Sequence, residues 1–119
     1  MGLHENTRNR LPNRRAAEVV KFRCWSMPFH ATLGYYPDGK LGEVFLSAGK
    51  LTLDADIMSK EAAIALSFAL QYGAPIEEIR NAMPRADDGS AQGPIGTLMD
   101  IIADDVAATS RVNKLVQGR

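Results

Sequence analysis

Apolar and polar positions alternate along three short segments before helical spacing takes over. From Glu18 to Trp25, Val20, Phe22 and Cys24 point one way and Val19, Lys21, Arg23 and Trp25 the other. That period of two marks a half-buried strand. Met27-Pro28 reads as a break. Phe29 to Tyr36 alternates again, with Phe29, Ala31, Leu33 and Tyr35 on one side. Pro37-Asp38-Gly39 is a hairpin signal, because proline presets φ and glycine accepts positive φ. Leu41 to Ser47 supplies a third strand. Three strands joined by short links make an antiparallel meander, and its apolar face needs a cover.

Helices provide that cover. Asp54 or Asp56 can cap a helix N-terminus by accepting backbone N–H bonds. Met58, Ala62, Ala65, Leu66 and Ala69 then recur at helical spacing, and Ile57, Ile64, Phe68 and Leu70 widen the stripe. So broad a stripe predicts a central helix packed on more than one side. Gly73 suits the position just past a helix end, and Pro75 stops continuation while fitting the first turn of the next helix. There Ile76, Ile79 and Met83 form the inner face, with Glu77 and Glu78 at the positive end. Pro94 opens a third helix, in which Ile95, Leu98, Met99, Ile102 and Val106 repeat to about Ala108. The expected fold is therefore α+β: a three-stranded antiparallel β-meander covered by about three helices, in the order β-β-β-α-α-α. Residues 1–13 read as a flexible basic arm, 14–108 as one domain, and 109–119 as a basic tail.

Composition changes this picture little. The chain has 119 residues, 45% hydrophobic and 24% charged, which is ordinary for one globular domain. It holds no apolar run long enough for a membrane span. The polar N-terminus has no apolar signal region, so a cytoplasmic location is expected. Charge is more telling. The net charge is zero, yet residues 1–23 carry +4, residues 111–119 carry +3, and the middle carries −7. A basic arm and tail flank an acidic body. Such an arm either steers itself onto the body or binds anions such as nucleotide or nucleic acid.

Candidate chemistry is sparse. Cys24 is the single cysteine, placed mid-strand where a buried small hydrophobe belongs. His4 lies in the arm and His30 on the polar side of a strand, and no local motif pairs a nucleophile with a base. Two distant histidines and one cysteine build no zinc site, and Asp87-Asp88-Gly89-Ser90 lacks the spaced acceptors of a calcium loop. The best anion candidate is the start of the third helix. Gly89, Gly93 and Gly96 surround it, helix N-termini present free N–H groups, and Arg85 lies close in sequence. Arg14 and Arg15 could fold back onto it. The competing reading is a solvent loop capped by Ser90 or Gly93, with Gly96 admitting close packing. The candidate anion-binding set is Arg14, Arg15, Arg85, Ser90, Gly93 and Gly96. Among the aromatics, Phe29, Tyr35 and Phe45 fit a core face, and Tyr36 and Trp25 are left for solvent.

The residues Leu11-Pro12-Asn13-Arg14-Arg15, Gly39 through Gly42-Glu43-Val44-Phe45-Leu46, Ala62 to Gly73 and Gly93-Pro94-Ile95-Gly96 together resemble the TSCPD domain. That domain occurs at the end of adenosylcobalamin-dependent ribonucleotide reductases and as short stand-alone bacterial or phage proteins. Where the Thr-Ser-Cys-Pro-Asp motif would stand, this chain has Ala91-Gln92-Gly93-Pro94-Ile95, and only the proline matches. The resemblance implies association with ribonucleotide reduction and deoxynucleotide metabolism. It does not imply reductase activity of this chain alone, since one cysteine cannot supply both a radical-carrying thiol and a redox pair. No cofactor is expected on the chain, cobalamin being a property of the family's reductases. The leading expectation is a non-catalytic accessory or binding module for a nucleotide, a nucleic-acid segment or a reductase subunit. A homo-oligomeric protein that sequesters or senses small phosphorylated ligands is the alternative, and a small enzyme using Cys24 or His30 is a third.

Overall fold

A computed structural model describes residues 7–49 and 53–117. Its elements run β1 Ala17–Cys24, β2 Met27–Tyr35, β3 Leu41–Ala48, α1 Leu53–Gln71, α2 Ile76–Ala82 and α3 Pro94–Gln117. The strands form one antiparallel sheet in the order β1-β2-β3. This is the α+β meander-then-helices arrangement expected from the alternation.

Register explains the core. Phe22 pairs with Phe29 and Phe29 with Ala48; Val20 pairs with Ala31 and Ala31 with Leu46; Leu33 pairs with Val44. All lie on one face, and Phe29, Ala31, Leu33, Val44 and Leu46 are buried there. Ala63, Leu66 and Leu70 of α1 and Leu98 and Met99 of α3 complete the core. Each large side chain so buried contributes roughly 1.5–3 kcal/mol. Phe22 and Phe29 stack with ring centres 5.5 Å apart.

α1 also replaces a fourth strand. The Val44 N–H donates to Ser67 Oγ at 2.8 Å, and the Ser67 hydroxyl donates to the Val44 carbonyl at 3.0 Å. Gln71 Nε2 donates to the Gly42 carbonyl at 3.0 Å, and the Ala48 N–H donates to Asp56 Oδ1 at 2.9 Å. These bonds occupy alternate outward-facing groups of β3, an edge that would otherwise invite another strand. α1 ends as its sequence predicts. Gly73 adopts φ +97°, its N–H donates to Leu70, and the Ala74 N–H donates to Ala69, both at 3.0 Å. That paired pattern needs a left-handed residue, hence glycine.

Several expectations change. The break falls at Trp25-Ser26, not Met27-Pro28: both residues have positive φ and form a tight turn, and β2 resumes at Met27. Asp54 and Asp56 stand inside the first turn of α1, and Asp56 bonds the sheet edge instead of capping. α1 is not a central helix. Its buried residues are Ser59, Ala63, Leu66, Leu70 and Gln71, so it packs one face on the sheet while Met58, Ile57, Ile64 and Phe68 are exposed. Phe45 is exposed as well, because Val44 and Leu46 take the inward positions and a one-residue shift reverses a strand's faces. The backbone of α3 continues to Gln117, past the Ala108 at which the apolar repeat ends.

Candidate functional site

The anion-site residues fall into two groups. Arg15 forks onto Glu43, with Nε donating to Oε2 at 2.5 Å and Nη2 to Oε1 at 3.1 Å, and Nη1 donates to the Pro12 carbonyl at 2.7 Å. Arg14 is exposed beside it and lines a shallow recess with Tyr36 and Pro37. Arg85, Ser90, Gly93 and Gly96 lie at the far end of β1, near Trp25. The eight residues of β1 separate the groups, roughly 26 Å of chain at about 3.3 Å per residue.

Around the second group most donors already have acceptors in the chain. Arg85 forks onto Asp100, with Nη1 donating to Oδ2 at 2.6 Å and Nη2 to Oδ1 at 2.9 Å. Arg80 Nε donates to the same carboxylate at 2.8 Å. Hydrogen bonds from Arg85, reinforced by Arg80, hold the Asp100 carboxyl well below the usual carboxylate range, outweighing its partial burial. The Ser90 N–H and hydroxyl both donate to Asp88 Oδ1, at 2.9 and 2.6 Å. The Gln92 N–H donates to the Pro84 carbonyl. The Gly93 carbonyl accepts from the Thr97 hydroxyl at 2.8 Å. Gly96 is a packing point: a Cβ there would stand 3.0 Å from that of Ala91 and 3.3 Å from that of Met83.

What converges on this loop is an aromatic clamp. Trp25 sits at φ 54° and Ser26 at φ 59°. Tight hairpin turns of this kind usually employ Asn or Gly, and a bulky residue there is an outlier that the surroundings must hold in place. The holding groups are visible. The indole Nε1–H donates to the Gln92 carbonyl at 2.7 Å, and Arg23 Nη2 donates to the Ser26 carbonyl at 2.7 Å. The ring meets Phe29 edge-on at 6.1 Å. It nevertheless remains 56% exposed. Beside it an apolar pocket of about 210 Å³ opens between α1 and the α2–α3 loop, lined by Trp25, Met58, Ala62, Met83, Pro94 and Ile95 among others. An apolar side chain would lose its water there with the indole as one wall. The sequence signal was incomplete: alternation placed Trp25 outside, but nothing local announced a left-handed turn without glycine. Cys24, next to it, is half-buried, with the Thr97 hydroxyl 3.8 Å from its sulfur. Among the described residues no group of His, Cys, Asp and Glu side chains is arranged to hold a metal.

Comparison with known proteins finds relatives for much of the chain. The chain is 37% identical over 71 residues to a vitamin B12-dependent ribonucleotide reductase of Agrobacterium fabrum, covering 60% of this chain and 6% of that protein. It is 34% identical over 79 residues to that of Rhodopirellula baltica, covering 66% and 8%. It is 39% identical over 70 residues to that of Streptantibioticus cattleyicolor, covering 59% and 12%. The chain thus spans a small fraction of the length of these relatives. No solved structure matches it. The TSCPD domain profile matches residues 5–108, nearly the whole described body, and the chain belongs to the TSCPD domain family.

Proposed function

We propose that this chain is a non-catalytic accessory module associated with ribonucleotide reduction, and that it binds a reductase partner through the Trp25 pocket. The observation that carries this reading is the indole itself: a large apolar ring held in a strained turn, hydrogen-bonded in place, and left half in water over an apolar recess. Rigid tryptophans beside a desolvated pocket are what protein interfaces use as anchors. Kinship with segments of vitamin B12-dependent reductases supplies the class of partner.

The test is a binding titration against a purified vitamin B12-dependent reductase, with Trp25→Gly and Met58→Lys as variants. Glycine relieves the positive φ while removing the ring. Met58 is 69% exposed, so its replacement leaves the fold intact. Each variant is expected to weaken binding by about 2 kcal/mol or more, the scale of an interface anchor. Reductase binding with unchanged affinity in both variants, or none by the wild type, would overturn the reading.

A further inference from the structure

Among the described residues no element packs on the sheet face opposite the core, where Val19 is 63% exposed, and its side chains are of a particular kind. Register places Val19, Thr32 and Phe45 in one cross-strand row, and Lys21, His30 and Ser47 in the next. Phe45 is 56% exposed. Where this face meets α1, a groove of about 340 Å³ is lined by His30, Thr32, Phe45, Ser47, Lys60 and Ile64, within the ~300–1,000 Å³ range of small-ligand sites. One wall is aromatic and aliphatic, and the floor offers hydroxyls and an imidazole. Beyond His30 lies Lys21, two strand spacings or about 10 Å from the Ser47 side. Arg23 flanks it on the same face. The acid on this face, Glu43, is paired with Arg15, and Asp56 on the α1 side is paired with Lys60; among the described residues no acid is paired with Lys21 or Arg23, so the field over those two is positive.

We infer that this groove binds a single nucleotide, with its base stacked on Phe45 against Ile64, its sugar over Thr32 and Ser47, and its phosphates towards His30 and Lys21. The class of ligand follows from complementarity at both ends. A π-face meets a flat base, and the cations Lys21 and Arg23 stand one sugar's reach away. A single nucleotide is favoured over a single strand because strand binders set successive aromatics along an open groove. Here one aromatic is exposed on the face, and α1 closes the groove beyond it. The site lies on a different surface from the Trp25 pocket, so the two proposals stand or fall separately.

ADP serves as the probe, followed by amide chemical shifts of the whole chain, with adenosine, pyrophosphate and a thymidine oligomer as comparison ligands. ADP should perturb His30, Thr32, Phe45 and Ser47, and bind more tightly than adenosine or pyrophosphate. Phe45→Ala should weaken ADP at least about tenfold, the scale of one base-on-aromatic stack, with its melting curve unchanged because Phe45 packs no core. Lys21→Glu should weaken ADP but not adenosine, and should flatten the loss of affinity with salt. Met58→Lys should leave ADP binding untouched. No perturbation at millimolar ADP, equal affinity in Phe45→Ala, or pyrophosphate binding as tightly as ADP would overturn the site. An oligomer that binds more tightly than ADP would overturn the single-nucleotide assignment.

Discussion

Asp100 shows how a single carboxylate organises the region around the α2–α3 loop. It accepts from Arg85 and Arg80 at once, tying the loop and α2 to α3. Its folded carboxyl protonates at a lower pH than an unfolded one because those guanidinium groups favour the charged form. An unfolded aspartate takes up its proton at about pH 4. The stabilisation is therefore complete above that point and is lost as the pH falls towards the folded value. The urea midpoint of the wild type should drop between about pH 5 and pH 3. Asp100→Asn should start lower at neutral pH and lose less across that interval. Parallel pH profiles for the two proteins would show that Asp100 is not the linked group. The sequence could not have revealed this arrangement. Arg85 looked like an anion ligand from its neighbours, and its partner lies on another element fifteen residues on. Arg15 was opaque for the same reason, since Glu43 comes beside it only when the meander closes.

Among the elements, the strands were legible and the side they present was legible only in part. β1 and β2 place their aromatic residues inward in strict alternation, and Phe22 and Phe29 are buried as that pattern requires. β3 was ambiguous. Val44-Phe45-Leu46 is apolar on both faces, and only pairing with Ala31 and Leu33 decides which face turns inward. The rotation of α1 is not legible from hydropathy, because its apolar residues run nearly all round it. The side chains that fix its rotation are polar: Ser67, Gln71 and Asp56, each bonded to a backbone group of β3. Hydropathy gives such residues no weight, yet they set the seam. Ser67 both accepts from and donates to Val44, so Ser67→Ala leaves two backbone groups unpaired. It should cost about 1–3 kcal/mol in urea denaturation, the penalty for unsatisfied polar groups at a partly buried seam. Ile57→Ala on the outer face of the same helix should stay within about 0.5 kcal/mol. Equal effects would mean that the seam is held by apolar packing alone.

At the scale of the whole molecule, one sheet face and one side of α1 bury the core, and considerable apolar surface is left over. Ile57 is 47%, Ile64 56% and Phe68 43% exposed, helical spacing gathers them into one outward stripe on α1, and Tyr72, just past its end, extends the stripe at 48% exposure. Among the described residues of the N-terminal arm, Arg8 and Asn9 cover its end. Arg8 stands over the Phe68 ring at 4.2 Å, and the Asn9 N–H donates to the Gln71 carbonyl at 2.8 Å. Large contiguous apolar surfaces on folded chains mark interaction sites as a class. The uneven charge offers a rival route, with the basic arm of one copy drawn to the acidic body of another. Salt separates the two, because exposed ion pairs are screened while apolar contact is not. The isolated chain should show concentration-dependent self-association in sedimentation velocity, persisting at high salt. Ile57→Lys should suppress it without lowering thermal stability, since that side chain is already half in water. Association that disappears on adding salt and ignores Ile57→Lys would assign the contact to the arm. If it instead survives both changes, the edge of β1 becomes the surface to alter, since α1 leaves that edge free while it seals the edge of β3.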